Sequence, residues 1–106
     1  MIFITGPLFS GKRAYARTFC DEDELCQDAQ ALAAQEADLP ALADKLAARY
    51  KVVISTETGG GVVPADAGER AAREAAGRLA CLLAERADTV VRVFCGLPTA
   101  LKGKLP

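Results

Sequence analysis

The beginning of the chain joins a run of strand formers to a glycine-rich turn that ends in a lysine. Residues 1–5 are apolar and do not alternate with polar residues, which is typical of a strand buried on both faces. Residues 6–13 then fit the pattern G-x-x-x-x-G-K, and a helix is predicted from about Gly11 or Lys12 to Phe19. A strand, a glycine loop and a helix in this order are typical of a phosphate-binding P-loop.

This loop has the properties of an anion site. Its two glycines let the backbone wrap tightly, so that amide N–H groups point inward, and the helix N-terminus adds partial positive charge. The motif therefore predicts a nucleoside triphosphate, ATP or GTP, with Lys12 over its outer phosphates; a tight turn with a solvated lysine is the alternative. The residues expected to bind the nucleotide are Gly6, Pro7, Leu8, Phe9, Ser10, Gly11, Lys12 and Arg13.

The rest of the chain alternates predicted helices and strands. Runs rich in β-branched residues predict two more strands, at residues 51–56 and 89–95. Residues 20–50 contain no Val, Ile or Thr and favour helix. Asp38 and Asp66 precede helical patterns and are predicted to cap them.

This βαβ alternation predicts an α/β protein: a small P-loop NTPase-like three-layer fold with a mainly parallel sheet, formed as a single domain by residues 1–106. Only three strands are evident, and residues 99–106 are expected to fray. Gly77, within the last predicted helix, costs about 1 kcal/mol relative to alanine, and a close contact between helix and sheet is one reason that would explain it. Exposed sheet edges would favour association with a second copy, so a homo-oligomer is expected.

Composition argues against several classes of partner. The chain has 106 residues and a formal net charge of -1, so no basic field is available for nucleic acid or for an anionic membrane surface. The apolar runs are far shorter than the ~20 residues that span a bilayer. No basic leader precedes the first of them, and a cytoplasmic location is expected.

The chain contains four cysteines and no histidine. No close C-x-x-C pair is present, so a zinc site is not expected, and no histidine can act as a base or a nucleophile. Cys81 and Cys95 are expected to pack as small hydrophobic side chains. Cys20 and Cys26 could lie on neighbouring turns, with a redox function as the less favoured interpretation.

Arg13 departs from the P-loop pattern. The position after the lysine normally carries Ser or Thr, whose hydroxyl binds the Mg²⁺ of the magnesium–nucleotide complex. Arginine is a cation without an acceptor and cannot do this. Two interpretations stay open: Mg²⁺ is held by other groups, or the site binds phosphate without efficient phosphoryl transfer.

Glu57 is the candidate for the acidic residue that a catalytic P-loop needs at the end of a neighbouring strand, because it follows the strand predicted at residues 51–56. With Lys12 it is predicted to be catalytic; the alternative is a polar residue in a turn. The glycine run at residues 59–61 predicts a phosphate-side loop or a connection that needs unusual dihedral angles.

Two segments together resemble a known family. Ile-Thr-Gly-x-x-x-Ser-Gly-Lys at residues 4–12 and Glu-Thr-Gly-Gly-Gly-Val-Val-Pro at residues 57–64 are similar to the bifunctional adenosylcobinamide kinase / adenosylcobinamide-phosphate guanylyltransferases of cobalamin biosynthesis. The similarity continues through Arg70, Arg73, residues 76–78, Leu83, Ala84, Ala87, Asp88, Val90 and residues 95–98. The resemblance implies an oligomeric P-loop protein that phosphorylates a corrinoid hydroxyl with ATP or GTP, then passes GMP to that phosphate through a covalent histidine.

The chain departs from this family where the chemistry would take place. The interval before the Glu57 loop is reduced to residues 20–50 and the histidine is missing, so guanylyl transfer by the family route is excluded here. Polar side chains of the family are also replaced: Arg13 occupies the position of a serine, Phe9 that of an arginine, Thr56 that of an asparagine, and Ala80-Cys81 that of an Asn-Gln pair.

Three functions are consistent with these residues. The first is a kinase-type phosphotransferase in which Lys12 stabilises the γ-phosphate and Glu57 holds Mg²⁺ or the acceptor hydroxyl. The second, ranked slightly higher, is a regulatory subunit that binds nucleotide with little hydrolysis. The third is an interaction domain with a degenerate P-loop whose cavity is filled by Arg13.

Overall fold

The computed structural model of the protein describes residues 1–58 and 66–106. In these ranges five strands form one sheet in the order β2-β3-β1-β4-β5. The strands are β1 (Ile2–Gly6), β2 (Leu25–Cys26), β3 (Val52–Thr56), β4 (Thr89–Phe94) and β5 (Leu97–Lys102). The first four run parallel, and β5 pairs antiparallel with β4. The predicted α/β class and mainly parallel sheet are confirmed.

Four α-helices connect the strands within the described ranges: α1 (Lys12–Ala16), α2 (Ala29–Ala33), α3 (Leu39–Arg49) and α4 (Ala67–Arg86). Asp38 caps α3 by accepting a hydrogen bond from the Ala41 amide, and Asp66 caps α4 by accepting from Gly68 and Glu69. Both caps were predicted from sequence. None of these helices combines the length and the apolar composition that a bilayer crossing requires.

Two apolar clusters on opposite faces of the sheet make the fold three-layered. Helices α2, α3 and α4 cover one face with Phe3 and Val53 beneath them, and α1 covers Ile4 and Ile54 on the other. Successive residues of β1 and β3 are thus buried on both faces, as their unbroken apolar runs predicted. The carboxyl end of β1 lies between β3 and β4, where the order of strands reverses, which is where α/β proteins bind ligands.

Two of the five strands were missed in the sequence. β2 has two residues, neither of them β-branched, and it is a strand because it pairs with β3. β5 occupies part of the segment that was expected to fray. The chain reverses at Cys95 and Gly96, whose positive φ angles of 52° and 75° suit a two-residue hairpin turn. Pro98 is tolerated because β5 is an edge strand.

The cysteines are not placed as expected. Cys81 on α4 and Cys95 in the hairpin turn are exposed, so neither is part of the core. Cys26 is buried under α2 and α3, whereas Cys20 packs against the cluster on the opposite face. All four cysteines are free thiols. The sheet separates Cys20 from Cys26.

Two further local expectations were wrong. The first helix ends at Ala16, and the chain continues to Phe19 as turns. Gly77 does not mark a close contact between helix and sheet, since a Cβ at this position would meet no atom of the described residues within 4 Å. Close packing of α4 therefore does not explain the presence of this glycine.

Candidate functional site

The two glycines of the loop at residues 6–13 are fixed by β4 and the hairpin turn that follows it. A Cβ on Gly6 would lie 2.3 Å from the Val93 carbonyl oxygen. A Cβ on Gly11, which has φ +93°, would lie 3.3 Å from the Gly96 Cα. The Gly96 amide also donates a hydrogen bond to the Ser10 carbonyl oxygen at 2.8 Å. The loop therefore needs glycine for space as well as for backbone freedom.

Lys12 is the buried cation of the site, with 6% of its surface exposed. Its Nζ donates to the Pro7 carbonyl oxygen at 2.6 Å and to Ser10 Oγ at 3.4 Å. Burial lowers the pKa of Lys12, and the carboxylates of Glu57 and Asp28 oppose that shift. The ammonium is thus folded against its own loop, where its hydrogen-bond acceptors are neutral.

A cavity of about 210 Å³ opens beside this loop. It is lined by residues 8–13 of the loop, with Ile54 and Thr56 of β3 and with Asp28, which precedes α2. Phe9 at the loop tip has φ 59° and is 94% exposed. The structure therefore brings six of the eight predicted nucleotide-binding residues to one cavity. Of the other two, Pro7 lines a second, adjacent cavity, and Gly6 lies beneath the loop.

Arg13 is paired with an aspartate that the sequence did not single out. Its Nη2 donates to Asp28 Oδ2 at 2.8 Å, and both side chains line the cavity while about half exposed. Gln30 Nε2 donates to the other oxygen, Oδ1, at 3.3 Å. Asp28 lies two residues after the end of β2, and it was missed because a two-residue strand gives no sequence signal that a side chain shortly after it lies at this edge of the sheet.

Glu57 follows β3 and is bound through both carboxylate oxygens to Arg92 of β4. The distances are 2.7 Å from Nε to Oε1 and 3.1 Å from Nη2 to Oε2. This pairing lowers the pKa of Glu57 and raises the pKa of Arg92. The Glu57 amide donates to the Gly6 carbonyl oxygen at 2.9 Å, which ties the end of β3 to the start of the loop. Arg92 was missed, although a charged residue inside an apolar strand was an available signal.

A second cavity, of about 610 Å³, adjoins the first and shares Leu8 and Thr56 with it. Six of its lining residues are apolar, and the other six are polar or charged: Pro7, Leu8, Ala31, Ala34, Ala72 and Ala76, with Gln30, Thr56, Glu57, Thr58, Glu69 and Arg73. A cavity with this lining suits a molecule that has both apolar surface and polar groups.

The described residues do not fit the Mg²⁺ site of a P-loop NTPase. Arg13 offers no oxygen at the position of the usual hydroxyl. The carboxylates of Asp28 and Glu57 are each bound to an arginine. In the part of the chain that the structure describes, no group of three or more His, Cys, Asp or Glu side chains is arranged to hold a metal. For Asp28 or Glu57 to ligate Mg²⁺, its ion pair with arginine would have to open.

The sequence model of one protein family matches most of the chain. The family is described as cobinamide kinase / cobinamide phosphate guanyltransferase, CobU, and the match covers residues 20–101. The match begins after the loop of residues 6–13 and includes the glycine run at residues 59–61, which lies outside the described residues. No curated protein matches the chain at a significant level.

Proposed function

Because this chain belongs to the family of cobinamide kinases and cobinamide phosphate guanyltransferases, we propose that it binds a nucleoside triphosphate, ATP or GTP, at the loop of residues 6–13. The burial of Lys12 supports this most directly. A buried ammonium is costly without a charged partner, and the acceptors of Lys12 are a carbonyl and a hydroxyl. A polyphosphate in the cavity of about 210 Å³ would supply the missing anionic oxygens.

Calorimetric titration with ATP, GTP and pyrophosphate tests this proposal, with Lys12→Ala as the informative variant. Loss of a charge-assisted hydrogen bond predicts binding weaker by about tenfold or more. Lys45→Ala is the matched control, since Lys45 is an exposed lysine on α3 and does not line the loop cavity. Absence of binding by the unaltered protein, or equal affinity of the two variants, would overturn the proposal.

The second cavity supports a kinase-type activity. The hydroxyl-bearing part of an acceptor, such as a corrinoid, would enter the cavity of about 610 Å³, beside the phosphates. Its hydroxyl oxygen would form a bond to the γ-phosphorus while the bond from that phosphorus to the bridging oxygen breaks, and the hydroxyl proton would pass to Glu57. Transfer of GMP through a histidine is not open to this chain, because it has none.

Turnover of ATP or GTP in the presence of adenosylcobinamide tests this activity. Glu57→Gln is expected to reduce turnover by about a hundredfold or more if the carboxylate accepts the proton. Glu69→Gln is a suitable control, because Glu69 lines the same cavity at the start of α4, away from the end of β3. Turnover that is equal in the two variants would remove Glu57 from the reaction.

A regulatory subunit that binds nucleotide without turnover is the second candidate. It is favoured by the ion pairs that engage both Asp28 and Glu57, because neither carboxylate is free to ligate a metal. Nucleotide binding without any turnover, across nucleotides and metals, would favour this candidate over the kinase.

We also propose that the protein is a homo-oligomer. Edge strand β5 presents Leu97 and Leu101, which are 70% and 60% exposed. Light scattering on a size-exclusion column that shows only monomers would refute this.

A further inference from the structure

Arg13 stands at the position where a P-loop normally presents a hydroxyl to Mg²⁺, and it puts a permanent positive charge there. Its guanidinium lines the cavity of about 210 Å³ beside Lys12. Asp28, two residues after the end of β2, holds it at 2.8 Å. A cation therefore already occupies the wall of the cavity in which a magnesium–phosphate complex would have to fit.

We propose that the Arg13 guanidinium, positioned by Asp28, takes the place of the magnesium ion, so that this loop binds metal-free polyphosphate. This inference rests on the proposed nucleotide binding and defines the ionic form of the ligand: uncomplexed nucleoside triphosphate or pyrophosphate. Magnesium complexes are the poorer ligands of this site.

The chemistry of the guanidinium supports the substitution. It carries five N–H donors in a planar fork, and it binds phosphate through two parallel hydrogen bonds. One donor on Asp28 leaves the others available, so the carboxylate can hold the side chain while the remaining donors contact a phosphate. Lys12 contributes a second cation to the lining of the same cavity. Two fixed cations complement the higher negative charge of a polyphosphate that has no bound metal.

The same arrangement disfavours a magnesium complex. Mg²⁺ on the phosphates would approach the Arg13 guanidinium, and two cations without an intervening acceptor repel each other. The carboxylate nearest to Arg13, that of Asp28, is bound to it, and Glu57 is bound through both oxygens to Arg92. Neither is free to offset the additional charge. Metal removal should therefore leave binding intact or strengthen it.

The test is a calorimetric titration of the full chain with inorganic pyrophosphate, once with EDTA and once with excess Mg²⁺. The unaltered protein is expected to bind at least as tightly with EDTA as with Mg²⁺. Arg13→Ser restores the usual hydroxyl, and it should lose about tenfold or more in affinity with EDTA and regain part of this loss with Mg²⁺. Arg17→Ser is the matched control, since Arg17 lies one turn further along the chain and pairs with Glu22 outside the cavity.

The outcomes separate this inference from the proposed function. Binding by the unaltered protein that requires Mg²⁺ overturns the inference and leaves nucleotide binding in place. Equal EDTA affinities for Arg13→Ser and Arg17→Ser also overturn it. Absence of binding in both conditions overturns both proposals. Circular dichroism of each variant shows that it is folded before its affinity is compared.

Discussion

The loop of residues 6–13 and the ion pairs beside it are built in opposite ways. In the loop, Gly6 and Gly11 face backbone atoms of β4 and its hairpin turn, at distances that leave no room for a side chain without movement. Backbone atoms cannot rotate away as a flexible side chain can. The shape of the loop is therefore coupled to the packing of the sheet.

The two arginine–carboxylate pairs have much more freedom. The side chains of Arg13 and Asp28 are 51% and 49% exposed, and those of Arg92 and Glu57 are 41% and 37% exposed. Solvent screens such pairs, so each contributes little to stability. The difference separates two kinds of residue: the loop glycines are constrained by the packing of the sheet, whereas the ion-paired side chains are partly exposed to solvent.

Gly6→Ala should have the largest effect on stability. Its Cβ would lie 2.3 Å from the Val93 carbonyl oxygen, at a φ of +153°. Steric overlap and backbone strain together predict a loss of about 3 kcal/mol in the free energy of unfolding, measured by urea denaturation. A loss below about 1 kcal/mol would show that β4 moves aside easily, and would remove the distinction between loop and ion pairs.

Gly77→Ala is the matched control for that experiment, because the new methyl group meets no atom within 4 Å. At this position in α4 the same substitution should raise the free energy of unfolding by about 0.5–1 kcal/mol, since alanine is the better helix former. Destabilisation by Gly77→Ala would mean that α4 has a contact outside the described residues.

Gly11→Ala should have an intermediate effect. The Cβ would lie 3.3 Å from Gly96 Cα, which is tight but not overlapping, while the φ of +93° adds strain. We expect a loss of about 1–2 kcal/mol in the free energy of unfolding. Amide hydrogen exchange at Gly96, which donates to Ser10, should accelerate in this variant. Unchanged exchange at that amide would show that the loop and the hairpin are independent.

Arg13→Ser should scarcely change stability, in contrast to its effect on metal-free pyrophosphate binding. The pair with Asp28 is half exposed, so its loss should change the free energy of unfolding by less than about 1 kcal/mol. A thermal melt of the unliganded protein measures this. A large drop in the melting temperature would place Arg13 with the structural glycines instead.

The smallest effect should come from pH acting on Glu57. Its pKa is held below the ordinary value of 4.5 by Arg92, so its contribution to stability is present above pH 4.5 and is lost as the pH falls through the lowered pKa. The stability difference between the unaltered protein and Glu57→Gln should therefore shrink on acidification. A difference that grows at acid pH would contradict the ion pair.

Local signals explain most of what could be predicted. The buried strands were visible as unbroken apolar runs, the caps Asp38 and Asp66 as polar residues before helical patterns, and the loop as a motif between a strand and a helix. Each of these is determined by residues close together in the chain. Position alone also placed Glu57 at the end of a strand beside the loop, while its catalytic function stays a prediction.

The features that the sequence could not reveal depend on contacts between residues that are far apart in the chain. β2 exists because β3 lies beside it, and only that pairing brings Asp28 to Arg13. β5 depends on a turn in which Cys95 adopts a left-handed conformation, which its residue type does not favour. Arg92, the partner of Glu57, lies 35 positions away on β4. Glu57 follows β3, and β1 lies between β3 and β4 in the sheet.

The hydrogen bond from Gly96 to the loop also sets a limit on how far this chain can be shortened. The hairpin at the far end of the sequence supplies an amide to Ser10 and a surface for Gly11. A fragment that stops after β4 would keep every residue of the motif and still lose part of the frame that shapes it. The smallest unit that keeps this frame therefore extends at least to Gly96, in the turn between β4 and β5.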